Sequence, residues 1–443
     1  MQRSGIWIHQ EPPEYPMLRG RKNADAVVVG GGLAGLTTAL WLTKAGLKVT
    51  LLEAERLGWG ATSRCGGIVS LEDGLLFARL EKNHGQEAAR TYALTQKAAL
   101  RAVEELAGDA CGFQREDVHI VSANGGEALE KEAECMKRAG VAATVTRSTQ
   151  CPLPAAHALV LGGMGVLDPM RYMRCMAKEG VSKGLRIYEH SRVVSMETNL
   201  AGTERGSVIA PYVIVATGYP IVNVPGWYFL RLTQRQAWLA RLSGEALFQG
   251  AYYDHNARFG LRRLRGGALL QLAGGLVGDA ENAGLFQRFF NENGALVGAP
   301  IETEIGLQIH TGDGLPYAGP YAAKTPNMFV ATGFGGRGIV GSMVAAQAVC
   351  ARVLGLEHGD YDIYSGSRHT RRDVKTPLRL AGRYMRGYIA HPSAPRCPHM
   401  GCKLVYDPLQ RLWLCPCHGS RFDGIGRVLN APATHDAPVG GRR

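Results

Sequence analysis

The sequence lacks an uninterrupted apolar stretch that could act as an export signal or a membrane span. Its start, MQRSGIWIHQEPPEYP, has no apolar core of signal-peptide length. Its longest uncharged run, APYVIVATGYPIVNVPGWYFL from Ala210 to Leu230, is long enough to mimic a span. Pro211, Pro220 and Pro225 break it, so Tyr212 to Gly218 reads as a buried strand ending in a turn. The expectation is a cytoplasmic protein with no transmembrane segment. Acids are also scarce: 38 Asp and Glu against 50 Lys and Arg give a net charge of +12. The excess is local. Between Ser367 and Arg396 eight basic residues stand against one acid, Asp373. Aromatic residues are not interleaved with them, which argues against nucleic acid as a partner. Ten cysteines in 443 residues do not make a secreted disulfide scaffold. Six are scattered (Cys65, Cys111, Cys135, Cys151, Cys175, Cys350) and read as reduced, mostly buried thiols.

What is present begins with DAVVVGGGLAGLTTALWLTKAGLKVTLLEAE, from Asp25 to Glu55. Asp25 to Val29 reads as a strand, Leu36 to Lys44 as a helix and Lys48 to Leu52 as a second strand. Between the first two lies G-x-G-x-x-G, on Gly30, Gly32 and Gly35, with Leu33 and Ala34 inside it. Glu53 and Ala54 end the second strand. This is the βαβ context that a dinucleotide fingerprint requires. Gly30 makes the tight turn, Gly32 lets the backbone approach a pyrophosphate, and Gly35 lets helix and strand pack closely. The helix N-terminus offers free N–H groups to the phosphates. Glu53 would accept hydrogen bonds from the adenosine ribose. Three further stretches favour FAD over NAD: GWGATSRCGG (Gly58 to Gly67), a strand ending in Ala216-Thr217-Gly218, and a strand at Asn327 to Ala331 running into ATGFGGRGIVGS. The last continues as a helix to about Leu354, whose N-terminus would face the cofactor.

Taken in order, these residues resemble the D-amino-acid-oxidase-type FAD-dependent oxidoreductases. LDPMRYMRCMAKEG (Leu167 to Gly180), RIYEHSRVVSME (Arg186 to Glu197) and GDGLPYAGP (Gly312 to Pro320) extend the match. The resemblance implies a Rossmann-like α/β FAD-binding fold with an antiparallel-sheet substrate domain. It implies Val193 and Val194 near the adenine, and Arg64 and Gly66 along the flavin. It also implies Gly333, Phe334, Gly336, Gly338 and Ile339 at the flavin's pyrimidine edge. Ala257 to Arg263 and Ala268 to Leu272 read as a hairpin turning on Gly266-Gly267. From that region Tyr252, Tyr253 and Arg262 are candidate catalytic residues, the arginine suiting a carboxylate. Arg337 is a fourth, standing where relatives often place histidine, lysine or tryptophan. No cysteine or histidine stands where covalent flavin attachment would need one.

Near the end stand CPHMGC (Cys397 to Cys402) and CPCHGS (Cys415 to Ser420). Paired thiolates and imidazoles at this spacing suit zinc or an iron–sulfur cluster. The spacing resembles a Rieske domain, which is small and all-β. That likeness implies a 2Fe–2S cluster with Cys397 and Cys415 on one iron and His399 and His418 on the other. It also implies a disulfide between Cys402 and Cys417, clamping the two loops. Neutral imidazoles raise such a cluster's potential. Ser420 occupies the place of a hydroxyl donor, but Phe422 stands where high-potential members carry tyrosine. The expected potential is therefore intermediate.

The expected domains are 23–358 for the FAD-dependent oxidoreductase, 359–392 for a basic linker and 393–436 for the Rieske module. In the linker, Leu378, Ala381, Met385 and Tyr388 suggest an amphipathic helix, with Arg379, Arg383 and Arg386 off that line. It reads either as packed on the flavin domain or as a docking surface for an acidic electron partner or an anionic membrane. The expected function is oxidation of an amine or amino acid at the flavin, with electrons passed singly through the cluster. The acceptor would be a ferredoxin-like protein or a quinone. Two alternatives stand beside it: a reductase whose cluster feeds the flavin, and a redox sensor or electron-transfer subunit with no substrate.

Overall fold

Ala26–Val29 is AVVV, branched, apolar and fully buried, which suits a central strand covered on both faces. It sits in a six-stranded sheet ordered Tyr317–Pro320, Met328–Thr332, Tyr212–Val215, Ala26–Val29, Val49–Leu52, Arg186–Tyr188. All neighbours are parallel except the edge strand Tyr317–Pro320. The helices Leu33–Lys44 and Gly338–Val353 pack against each other over this sheet, and both are almost wholly buried. The computed structural model describes residues 5–8, 13–108, 111–356, 359–368, 375–389 and 394–439. Arg371, Arg372 and Asp373 of the basic run, and the expected boundaries at 358 and 392, lie outside the described residues.

The expected first helix starts three residues early, at Leu33 rather than Leu36. Gly30 and Gly32 therefore precede the helix, and Leu33, Ala34 and Gly35 open its first turn. A second sheet of nine strands is built on Leu232–Leu242, which pairs antiparallel with Gly267–Leu276 and Pro300–Thr311. The expected hairpin is present as Phe259–Leu264 and Gly267–Leu276. This sheet is not purely antiparallel: Ala251–Asp254 runs parallel to Gln114–Ser122. The tail forms a three-stranded antiparallel sheet, Val405–Asp407, Leu412–Leu414 and Arg421–Phe422, over its own small core.

Two expectations need correction. Cys111 and Cys175 are not free thiols but a disulfide, with Cα atoms 6.3 Å apart. The helices Gln86–Ala107 and Pro169–Ser182 pack together and bring the two cysteines within reach across 64 residues of chain. The linker helix exists, at Lys375–Ile389, but its apolar line faces solvent: Leu378, Met385 and Tyr388 are 68%, 56% and 45% exposed. The inward face is made of Leu380, Arg383 and Gly387. Arg383 turns inward because its guanidinium finds Asp279 at 2.6 Å, the Val277 carbonyl at 2.8 Å and the Pro416 carbonyl. Gly387 is against the tail, where a Cβ would lie 2.6 Å from Cys417 Sγ.

Candidate functional site

A cavity of about 300 Å³ runs along the carboxyl ends of the parallel strands. Its walls carry Gly30, Gly32, Leu33, Ala34, Glu53, Ala54, Arg64, Gly66, Val193, Ala216, Thr217, Gly218, Gly333, Phe334, Gly336, Gly338 and Ile339. Two residues of the expected set are not in the wall. Val194 alternates to the other face of its strand. Gly35 is inside the packing: a Cβ there would collide with the Gly30 carbonyl oxygen. At Gly30 a Cβ would collide with the Ala216 carbonyl, and φ is +110°. At Gly32 the nearest atom to a Cβ is Thr62 Oγ1 at 3.5 Å, so the space there is left to a ligand. Among the described residues no side chain caps either helix whose N-terminus meets the cavity. Glu53 accepts hydrogen bonds from the Gly31 and Glu55 N–H groups at 2.6 and 2.8 Å. Burial pushes its carboxyl up. The cradle fits the diphosphate and ribose of a dinucleotide.

A second cavity, about 410 Å³, adjoins the first and shares Tyr253, Gln271, Gln308 and Gly336 with it. Of the four candidate catalytic residues only Tyr253 lines it. Tyr252 points to the opposite face of its strand, donates to the Gln249 carbonyl at 2.6 Å and stacks on His119. Arg262 donates to the Gly67 and Leu167 carbonyls at 2.8 and 2.9 Å and lies over the Trp7 ring. It pins the loop beside the flavin site. Arg337 occupies the residue before Gly338–Val353 without capping it by its side chain; it pairs with Asp73 and donates to the Gly314 carbonyl at 2.8 Å. The groups that do line the second cavity include Arg79, Arg235, Arg379 and His310. Burial and the neighbouring Arg235 push the His310 imidazole down to about 4, so it is neutral at neutral pH.

In the tail, His399 and His418 lie with ring centroids 5.0 Å apart, and among the described residues the Nδ1 atom of each is buried without a partner. Two unpartnered buried ring nitrogens are costly unless something binds them. The Cys397 and Cys415 thiols lie within hydrogen-bond reach of each other, which pushes Cys397 up and Cys415 down. Two imidazole nitrogens and two sulfurs therefore converge, and the set fits a 2Fe–2S cluster. Burial pushes the two imidazoles down to about 4 and 3, so both are neutral at neutral pH, the form that can hold iron. Ser420 is fully buried beside Cys397, and Phe422 is buried and offers no hydroxyl. The sulfurs of Cys402, Cys415 and Cys417 also cluster within 4.8 Å. Cys402 and Cys417 are bonded to each other and are not available as ligands.

That disulfide closes a short loop, with 15 residues of separation. In the chain-entropy account a loop of this size contributes about 3 kcal/mol. Cys402→Ser with Cys417→Ser should lower the temperature at which the cluster's visible absorbance is lost. The flavin's release temperature should not move. Equal cluster loss in both proteins would contradict the clamp.

The two centres meet at the strand Leu232–Leu242. Gln234 Nε2 donates to the His418 carbonyl and to the Ala431 carbonyl, both at 2.9 Å. Ala431 in turn lines the dinucleotide cavity, with Leu429, Asn430, Ala433 and Thr434. His399 Nε2 meets Asn223 Oδ1 at 2.6 Å. Were Nδ1 to hold iron, Nε2 would carry the proton and donate to Asn223. Tyr219 and Phe229 pack against the His418 ring. Asn223, Gln234, Arg79, Arg235 and His310 were not singled out by sequence, and Arg379 was named there as part of the basic connector. For Gln234 and Arg235 the signal was a run of four polar residues, Thr233 to Gln236, at the start of the strand LTQRQAWLARL.

Residues 25–352 match the family described as FAD dependent oxidoreductase. Residues 388–439 match the Rieske [2Fe-2S] domain. YhfW of Bacillus subtilis (strain 168), a protein named for a Rieske 2Fe-2S centre, is 22% identical over 95% of this chain and 94% of its own length. Gamma-glutamylputrescine oxidoreductase of Escherichia coli (strain K12) is 29% identical over 43% of this chain and 48% of its own. Glycine oxidase from Geobacillus kaustophilus shares the fold at a TM-score of 0.65 and 20% identity, covering 79% of this chain and 99% of that one. No helix among the described residues is long and apolar enough to cross a membrane.

Proposed function

This chain belongs to the FAD-dependent oxidoreductase family and carries a Rieske [2Fe-2S] domain after it; on that premise we propose that it oxidises an amine or amino acid and passes the electrons singly through the cluster to an acceptor. The acceptor would be a small electron-carrier protein or a quinone. We place the oxidoreductase at 23–358, the basic connector at 359–392 and the Rieske module at 393–436. Bound FAD supplies a two-electron sink for the C–H bond beside nitrogen, and a Rieske cluster carries one electron at a time. The substrate loses two electrons and two protons, and water hydrolyses the resulting imine.

The chain's own residues shape the rest. Tyr253, Gln271 and Gln308 stand at the boundary of the two cavities and can orient the reacting carbon. Arg79, Arg235 and Arg379 surround the substrate side. Their field disfavours an ammonium and favours the neutral amine, the form that can be oxidised. The observation that carries the reading is Gln234. One amide holds both the backbone of the cluster ligand His418 and Ala431, which lines the flavin cavity. A cluster seated this way is wired to the flavin within one chain.

The test is anaerobic addition of a panel of amines and amino acids to the purified holoenzyme. Flavin bleaching followed by a reduced, paramagnetic cluster is expected. Bleached flavin with a cluster that stays oxidised would sink the proposal.

A further inference from the structure

The cavity beside the flavin site carries more positive charge than one carboxylate needs. Arg79 comes from the helix Leu76–His84, Arg235 from the strand Leu232–Leu242, and Arg379 from the connector helix Lys375–Ile389. Among the described residues none of the three makes an ion pair with a carboxylate. The one acid in the wall, Asp73, is already taken by Arg337. His310, at the same wall, has a buried Nε2 without a partner.

Its surroundings report the same field. The charged groups facing His310 are Arg235, Arg337, Arg79 and Asp73, three cations to one anion. The arginines come from three separate elements, so neither one helix face nor one sequence run accounts for their convergence. The connector's part is unexpected. Arg383 anchors that helix inward, and Arg379, one turn earlier, is thereby held at the cavity.

Alternation along the strand adds to this. Thr233 and Arg235 line the substrate cavity, while Gln234 between them faces the tail. One strand therefore presents a substrate-side cation on one face and the cluster contact on the other.

We propose that this cavity takes an amine bearing two anionic groups, such as an amino or imino diacid, with Arg79, Arg235 and Arg379 dividing the two anions between them. The inference rests on the amine-oxidising reading above and adds the substrate class to it. An arginine guanidinium pairs with a carboxylate through two parallel N–H donors, so three guanidiniums can hold two carboxylates with donors to spare.

The experiment uses the oxidised full-length holoenzyme and acids that cannot be oxidised at an amine. Propionate and succinate are titrated at constant ionic strength, and the shift of the flavin absorption is read. Succinate should bind at least about tenfold more tightly, about 1.4 kcal/mol. Arg235→Gln, at an exposed position, should erase that preference with flavin content and cluster spectrum unchanged. Arg379→Gln should weaken it. Equal affinities for the two acids, or an unchanged ratio in both variants, would overturn the proposal. The two readings separate in parallel assays. If monocarboxylic amines reduce the flavin as well as dicarboxylic ones, amine oxidation stands and the diacid class falls. If succinate is preferred but no amine reduces the flavin, the reverse holds.

Discussion

Gly32→Val should purify as a folded protein with its cluster in place and almost no flavin. The backbone at Gly32 is extended, with φ −80° and ψ −176°, a conformation any residue adopts. A Cβ there meets nothing closer than Thr62 Oγ1 at 3.5 Å, which is ordinary contact. The added methyls therefore cost the protein little by themselves. They occupy the space through which a pyrophosphate approaches the helix N-terminus, and they replace that approach with a clash. The affinity for FAD should fall at least about 100-fold, about 2.7 kcal/mol. Gly32→Ala should move in the same direction by less. The neighbouring glycines behave differently. Gly30→Ala forces a side chain into φ +110° and against the Ala216 carbonyl, and Gly35→Ala drives into the Gly30 carbonyl. Those variants should lose the fold along with the flavin. Measuring the flavin-to-cluster absorbance ratio after purification, with circular dichroism for folding, separates the two cases. A Gly32→Val protein that keeps stoichiometric flavin would refute the role assigned to this glycine.

The same glycines explain what could be read from sequence. Each part of the fingerprint is local: a strand, a turn, a helix start and an acid within about thirty residues. Local geometry leaves a local residue signature. The Rieske domain was legible for the same reason, since its cysteine and histidine motifs lie in two short loops, Cys397 to Cys402 and Cys415 to Ser420. The larger failures are long-range. Cys111 and Cys175 carry no spacing that marks them as a pair, because only helix packing brings them together. Arg262 looked like a substrate ligand from its place on the hairpin, yet it is consumed by the Gly67 and Leu167 carbonyls from distant segments. Tyr252 and Tyr253 were indistinguishable as neighbours until strand alternation put one in the cavity and one behind it. The connector helix was recognised by its period, but the period says only that two faces differ. Which face turns inward was decided by Asp279 and the Pro416 carbonyl, over a hundred residues and some thirty residues away.

Gln234→Leu should separate the two centres without damaging either. Leucine fills nearly the same volume, so the strand packing survives. The His418 carbonyl loses its cross-domain donor, while the Ala431 carbonyl keeps Asn430 Nδ2 at 2.7 Å. Leaving one buried carbonyl unpaired costs about 1–3 kcal/mol. That cost falls on the docked arrangement, because the carbonyl regains water when the tail lifts. His399 still donates to Asn223, so the single variant should slow electron passage about tenfold rather than stop it. Asn223→Ala added to Gln234→Leu removes a second polar contact beside the cluster loops and should slow it further. The readout is anaerobic stopped-flow with a reducing amine. Flavin bleaching should keep its wild-type rate, since neither residue lines the substrate cavity. Cluster reduction should lag behind it. Asn223→Asp gives an independent signature, because a carboxylate against the His399 N–H puts negative charge beside the cluster and should lower its midpoint potential. A role confined to folding would leave that potential where it was. Should cluster reduction track flavin reduction in the double variant, the electrons do not depend on this contact, and the junction at Gln234 is only structural.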